Sequence, residues 1–86
     1  MARRRNKIKP GGKIFPHKDT PVHANYWERF HVVLESYPGV DFRCEDEHVY
    51  MQTGSVWWFQ NANEHEVINN SAGDRIHMVI DIRCSQ

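Results

Sequence analysis

His17-Lys18-Asp19 is the first place in this chain where residue types and spacing could do chemistry. On an extended backbone, residues i and i+2 point to the same side. An H-x-D tripeptide at a strand end therefore aims an imidazole and a carboxylate at one point. Alone it is a weak signal, because such a pair also serves as a surface turn. A distant histidine, His65, completes a two-His-one-carboxylate set. A facial triad of that kind leaves open metal positions and is characteristic of non-haem Fe(II) oxygenases. A 2-oxoacid suits those positions, since it chelates iron through its 1-carboxylate and 2-keto oxygens. Its far carboxylate then needs a cation with two-point geometry, which arginine offers. Arg75 meets that need, following His65 by ten residues at the start of the next strand-like run. Arg29, His31 and Val33 repeat the Arg-x-His-x-Val pattern of Arg75, His77 and Val79. Two strands that each present these groups on one side make a ligand pocket in a barrel mouth.

The elements that must hold these groups read as short strands. Lys7–Lys9 belong to a first strand, and residues 1–6 read as a basic, frayed end. Pro10-Gly11-Gly12 is a turn, Lys13–His17 a strand and Thr20–Asn25 a loop. Trp27–Ser36 alternates cleanly, with Arg29, His31 and Val33 opposite Phe30, Val32 and Leu34. Tyr37-Pro38-Gly39 turns the chain. Val40–Cys44 and His48–Gln52 read as a hairpin joined through Glu45-Asp46-Glu47. Ser55–Gln60, His65–Ile68 and Arg75–Arg83 follow as strands. Seven or eight strands at roughly 8–12-residue spacing predict an all-β sandwich or barrel.

Composition narrows the class. At 86 residues the chain is expected to be one small domain with a thin core. Aromatics at 12% and charged residues at 26% argue for a folded globule. Net charge is zero, which makes no global case for nucleic acid or an acidic membrane. The basic residues nonetheless crowd the start, from Arg3 to Lys13. Two cysteines, Cys44 and Cys84, without CxxC spacing suggest neither a zinc knuckle nor a disulfide framework, and fit a reducing cytoplasm. No apolar run is long enough for a transmembrane helix.

In order, P-G-G-x-I-x-P-H-x-D, E-R-F-H-V-V-L, G-S-V-W-W-F, H-E-V-I-N-N-S and D-R-I-H-M-V-I-D span Pro10 to Asp81. Together they resemble the aspartyl/asparaginyl beta-hydroxylase family. The resemblance implies an Fe(II)- and 2-oxoglutarate-dependent dioxygenase that uses O2, on a minimal double-stranded β-helix (jelly-roll, cupin-like). It implies that His17 and His65 bind iron and that Asp19 is the acid of members with a full facial triad, which places the chain nearer the bacterial and phage type. It implies that Arg75 binds the distal carboxylate of 2-oxoglutarate, with Arg29 and His31 near its iron-bound end. The chain starts close to its first strand and is expected to lack the N-terminal elements of larger members. The loop from Thr20 to Glu28 is expected to shape substrate choice.

The combined expectation is a single dioxygenase domain over residues 1–86, hydroxylating an unactivated C–H bond of an amino-acid or protein substrate of Asp, Asn or Pro type. Partners would be that small-molecule or peptide substrate and, through edge strands, a second copy of the chain as a homodimer; neither membrane nor nucleic acid is expected. Two other readings stay open: a non-catalytic cupin-like module holding a metal or small acid, and an RNA-associated structural protein led by Arg3–Arg5. Plainer roles compete residue by residue. Arg75 could pair with Asp74, Asp81 or Glu66, and Arg29 with Glu28 or Asp19. His77 reads as a wall residue, and His23, His31 and His48 as weak competitors for the metal. At most one of Trp57 and Trp58 lines the pocket. Asn69-Asn70 reads as turn chemistry, and Cys44 and Cys84 as inert.

Overall fold

A computed structural model describes residues 2–19 and 27–83. Eight strands follow one another: β1 (Ala2–Ile8), β2 (Lys13–His17), β3 (Trp27–Glu35), β4 (Val40–Cys44), β5 (Glu47–Val49), β6 (Val56–Trp58), β7 (His65–Asn69) and β8 (Arg75–Arg83). They form two four-stranded sheets, ordered β1-β8-β3-β6 and β2-β7-β4-β5. Every pairing is antiparallel. The all-β expectation holds. Among the described residues no helix is long and apolar enough to cross a membrane.

Alternation decides what each strand buries. On β7, His65, Val67 and Asn69 are buried while Glu66 and Ile68 are half-buried. On β4, Val40 and Phe42 turn inward. On β8, Arg75, His77 and Val79 are all buried. Ile8 and Val33 from the first sheet meet Val40, Phe42 and Val67 from the second, with Met51 between them. The sheets therefore face each other across one apolar core. Leu34, Val56, Trp58 and Ile82 remain exposed on the opposite alternation face of the first sheet.

The basic start of the chain is a correction to the frayed end expected for residues 1–6. It is strand β1, paired with β8 from Ala2↔Asp81 to Ile8↔Arg75. Pairing satisfies its backbone groups, and alternation leaves Arg3, Arg5 and Lys7 in solvent while Ile8 enters the core. The expected strand His48–Gln52 shortens to Glu47–Val49. Beyond it the chain must cross between sheets, so Met51 leaves the ladder and is buried. The crossing is held by Gly54 N–H to the Val33 carbonyl at 2.8 Å and Val33 N–H to the Ser55 carbonyl at 2.9 Å. The strand expected over Ser55–Gln60 contracts to Val56–Trp58 for the same reason. The loop Thr20–Asn25, with His23, and the thiol Cys84 lie outside the described residues.

Asn69 is more than turn chemistry. It is fully buried at 0% exposure. Its Nδ2 donates to the carbonyls of Ile8 at 2.9 Å and Gly73 at 3.0 Å. Its Oδ1 accepts from Ser71 N–H at 3.0 Å and from the Ser71 hydroxyl. One amide thus ties the end of β1 to the turn that launches β8, just before Arg75. Asn69→Ala should cost about 1–3 kcal/mol, because several buried backbone groups lose their partner at once. The exposed neighbour should change stability by less than about 0.5 kcal/mol as Asn70→Ala. Urea unfolding of the two variants checks both values.

Candidate metal centre and anion pocket

The antiparallel pairing of β2 with β7 sets His17 directly opposite His65. Their ring centroids are 4.3 Å apart. Asp19, two residues past His17, is anchored by its own N–H to the Asn61 carbonyl at 2.9 Å. The three side chains bring one ligand atom each to within 4.8 Å of one another. Asp19 Oδ1 lies 3.7 Å from His17 Nε2 and 3.9 Å from His65 Nε2.

The tautomers follow from the backbone. His17 Nδ1 donates to the Phe15 carbonyl at 2.9 Å, and His65 Nδ1 donates to the Asn63 carbonyl at 2.8 Å. A carbonyl only accepts, so each Nδ1 carries a proton and Nε2 is the atom left to face a metal. Both Nε2 atoms sit beside the same carboxylate oxygen. That is the orientation by neighbouring groups that histidine metal ligands require. Burial pushes His65 below the ordinary histidine range, against the Asn63 carbonyl, which raises it. It therefore stays neutral and able to ligate.

Arg29 lies between two carboxylates. Its Nε and Nη2 donate to Asp81 Oδ1 and Oδ2 at 2.7 and 2.9 Å, and its Nη1 donates to Asp19 Oδ2 at 3.1 Å. The hydrogen bond to Asp81 is the main cause that raises the Arg29 pKa. Arg29 lines the cavity, as expected of a residue at the iron-bound end of a co-substrate, but its guanidinium is already engaged.

Arg75 is the opposite case. It is 2% exposed, and its Nη1 donates to Asn6 Oδ1 at 3.1 Å. Its Nε is buried without a hydrogen-bond partner among the described residues. The three acids that could have paired with it are held by other cations: Asp74 by Lys7, Asp81 by Arg29 and Glu66 by Arg43. Burial pushes its pKa down to about 10. A buried guanidinium with an amide for its neighbour is costly to leave uncompensated, and a carboxylate is the partner its fork geometry suits.

His31 and His77 form a neutral pair, Nδ1 to Nδ1 at 3.0 Å. Burial, then Arg75 and Arg29, push His31 down to about 4. Burial, then Arg75 and His31, push His77 down to about 3. His31 lines the cavity, while His77 supports it from behind.

One cavity of about 310 Å³ joins these groups, with His17, Asp19, His65, Arg29, His31 and Arg75 all on its wall. Six residues chosen by type and spacing thus come together. Phe42, Phe59, Val67 and Val79 supply much of the apolar lining. Neither Trp57 nor Trp58 reaches this cavity, and both border a neighbouring one with Cys44 and Met51. His48 is on the outside, 2.8 Å from Asp41. Cys44 is a free thiol whose pKa burial raises.

Two contributors went unread in the sequence and a third was assigned to the wrong arginine. Asp81 was weighed as a partner for Arg75, whereas it pairs with Arg29. Asn6 was hidden in a basic run, although Arg4, Asn6 and Ile8 share one face once that run is a strand. Phe59 stood beside two more conspicuous tryptophans.

The fold and cavity define a two-sheet β protein with a potential metal site in the same cavity as a buried arginine. The model of the aspartyl/asparaginyl beta-hydroxylase family matches residues 4–84. The chain belongs to that family, whose enzymes are of hydroxylase type. A comparison with curated proteins found no match.

The histidine pair carries a pH dependence. Unfolded imidazoles take up protons below about pH 6.5, whereas folded His31 and His77 resist until about 4 and 3. The unfolded state then binds more protons, so stability is full above 6.5 and falls as the medium is acidified. Urea midpoints should drop between pH 7 and 5, and His77→Asn should flatten that slope.

Proposed function

We propose that the protein is an Fe(II)- and 2-oxoglutarate-dependent hydroxylase that inserts one oxygen atom into a C–H bond of an Asp-, Asn- or Pro-type amino-acid or protein substrate. The observation that carries this reading is one cavity holding a His-Asp-His cluster together with a buried arginine whose Nε has no partner among the described residues. The sheet orders β1-β8-β3-β6 and β2-β7-β4-β5 support a double-stranded β-helix, because consecutive strands, the β4–β5 hairpin apart, alternate between two facing four-stranded sheets as in an eight-stranded jelly roll.

The residues fit the groups the reading requires. Two imidazoles and one carboxylate oxygen are the donors of a facial triad, which suits Fe(II). The orphaned Arg75 Nε is the structural sign that a carboxylate is wanted at the other end. When bound, iron, 2-oxoglutarate and O2 supply the oxidation, releasing succinate and CO2 and delivering one oxygen atom to the substrate. The chain's own part is to hold and exclude. His17, Asp19 and His65 would hold the metal on one side. Arg75 and Asn6 would take the distal carboxylate, with a fork geometry that sets its orientation. His31, kept neutral, adds no charge to the cavity wall. Phe42, Phe59, Val67 and Val79 keep water from the reacting end. The free thiol of Cys44 suits a reducing compartment such as the cytoplasm.

Two measurements test the reading. Anaerobic Fe(II) with 2-oxoglutarate should give a weak visible charge-transfer band that disappears in His65→Ala. Turnover over a peptide and amino-acid panel should couple succinate release to a mass gain of one oxygen. No band and no 2-oxoglutarate-dependent succinate would sink the hydroxylase and leave a binding module.

Arg75→Met separates the two halves of the site. It should raise the KM for 2-oxoglutarate on the order of 100-fold, since a buried charge pair loses roughly 3 kcal/mol when one partner is truncated. Metal affinity should stay within about threefold, a difference of under about 1 kcal/mol. Thermal unfolding should show 2-oxoglutarate stabilising the wild type and not the variant.

A further inference from the structure

We infer that Arg29 and Asp81 form a clamp that positions Asp19 as a one-oxygen metal ligand, which makes Asp81 a positioning residue of the metal site. The inference rests on the metal role proposed for His17, Asp19 and His65.

The two oxygens of Asp19 are divided between different neighbours. Oδ1 faces the Nε2 atoms of His17 and His65 at 3.7 and 3.9 Å. Oδ2 accepts from Arg29 Nη1 at 3.1 Å. A carboxylate held in this way presents one oxygen to a metal and keeps the other occupied. A metal held by Asp19 through one oxygen would keep more positions free for co-substrate and O2 than one chelated by it.

Arg29 can do this only if it is itself held. A long side chain with a single partner at a cavity wall would swing toward any incoming anion. Asp81 prevents that with a bidentate fork at 2.7 and 2.9 Å, the geometry arginine and carboxylate prefer. The fork is built into the fold, because Arg29 and Asp81 are direct Cα partners in the β3–β8 ladder. The side chains of Arg29, Asp81 and Asp19 are 15%, 18% and 13% exposed, so solvent does little to weaken the chain.

This assignment competes with a direct role for Arg29 on the co-substrate, and experiment separates the two. Co(II) is titrated into the full chain and its visible d–d bands are recorded; KM for 2-oxoglutarate is measured on the Fe(II) enzyme. Arg29→Gln and Asp81→Ala should each weaken Co(II) binding by about 10–100-fold, the usual effect of losing a partner behind a metal ligand. Both should change the d–d band shape in the same direction, as Asp19 loses its one-oxygen geometry. The double variant should bind no more weakly than Arg29→Gln alone, because Asp81 acts through Arg29. Asp81→Asn, which can still accept one bond, should fall between wild type and Asp81→Ala.

Unchanged Co(II) affinity and spectrum in folded Asp81→Ala would overturn the clamp while leaving the metal site intact. Additive effects in the double variant would overturn it as well. So would an Arg29→Gln variant with normal Co(II) binding and a raised KM for 2-oxoglutarate. Should Arg29→Gln fail to fold, the Asp81→Ala and Asp81→Asn spectra decide alone. A wild type that binds no Co(II) at all would overturn the proposed hydroxylase and the clamp together.

Discussion

The antiparallel ladder between β3 and β8 is the constraint on which the site depends. Its register sets Arg29 beside Asp81, His31 beside Val79 and Val33 beside His77. Side chains alternate across a strand, so a slip of one residue would turn every one of these groups to the outer face. The Arg29–Asp81 ion pair is available only in this register. β1 adds to the other edge of β8 and brings Asn6 to Arg75. The metal ligands depend on a second ladder, β2 with β7, which sets His17 against His65. Phe42, Phe59 and the shared apolar core keep the two ladders face to face.

That arrangement spends much of a small interior on polar groups. The largest fully buried side chains are Arg75, His77, Val33 and Asn69, of which only Val33 is apolar. Each polar one is tolerated for a different reason. Asn69 has its hydrogen bonds filled by turn and strand backbone. His77 stays uncharged against its neighbour His31. Arg75 keeps its charge, with one amide partner and an unfilled donor. A buried ion without a counter-ion weakens a fold by several kcal/mol. An anion bound there would recover part of that deficit, because a ligand that binds only the folded state stabilises it. Function and stability therefore meet at one residue.

Much of this was legible from residue types. Alternation around Arg29-Phe30-His31 and Arg75-Ile76-His77 announced strands, and those strands carry the inward faces expected of them. His17-Lys18-Asp19 announced a shared direction for two ligands, because the i, i+2 geometry of an extended chain is local. The ordered motifs from Pro10 to Asp81 announced the family. Reading failed where a local pattern was overruled by a partner. The basic run at Arg3-Arg4-Arg5 looks solvated by itself and becomes a strand only because β8 offers it an edge. Gln52 looks like strand continuation and is lost because the chain must change sheets there.

By itself, the sequence determined most of the elements, their inward faces and the kinds of group brought inward, since these depend on periodicity within a few residues; β1 and the ends of β5 and β6 depended on partners. Only the tertiary structure decided which charges meet. Asp81 faces Arg29 from 52 positions away, and Asn6 faces Arg75 from 69 positions away. No local rule links such pairs. Strand order and register made Arg29 a saturated cation and Arg75 an unsaturated one, although both stand in the same Arg-x-His-x-Val pattern.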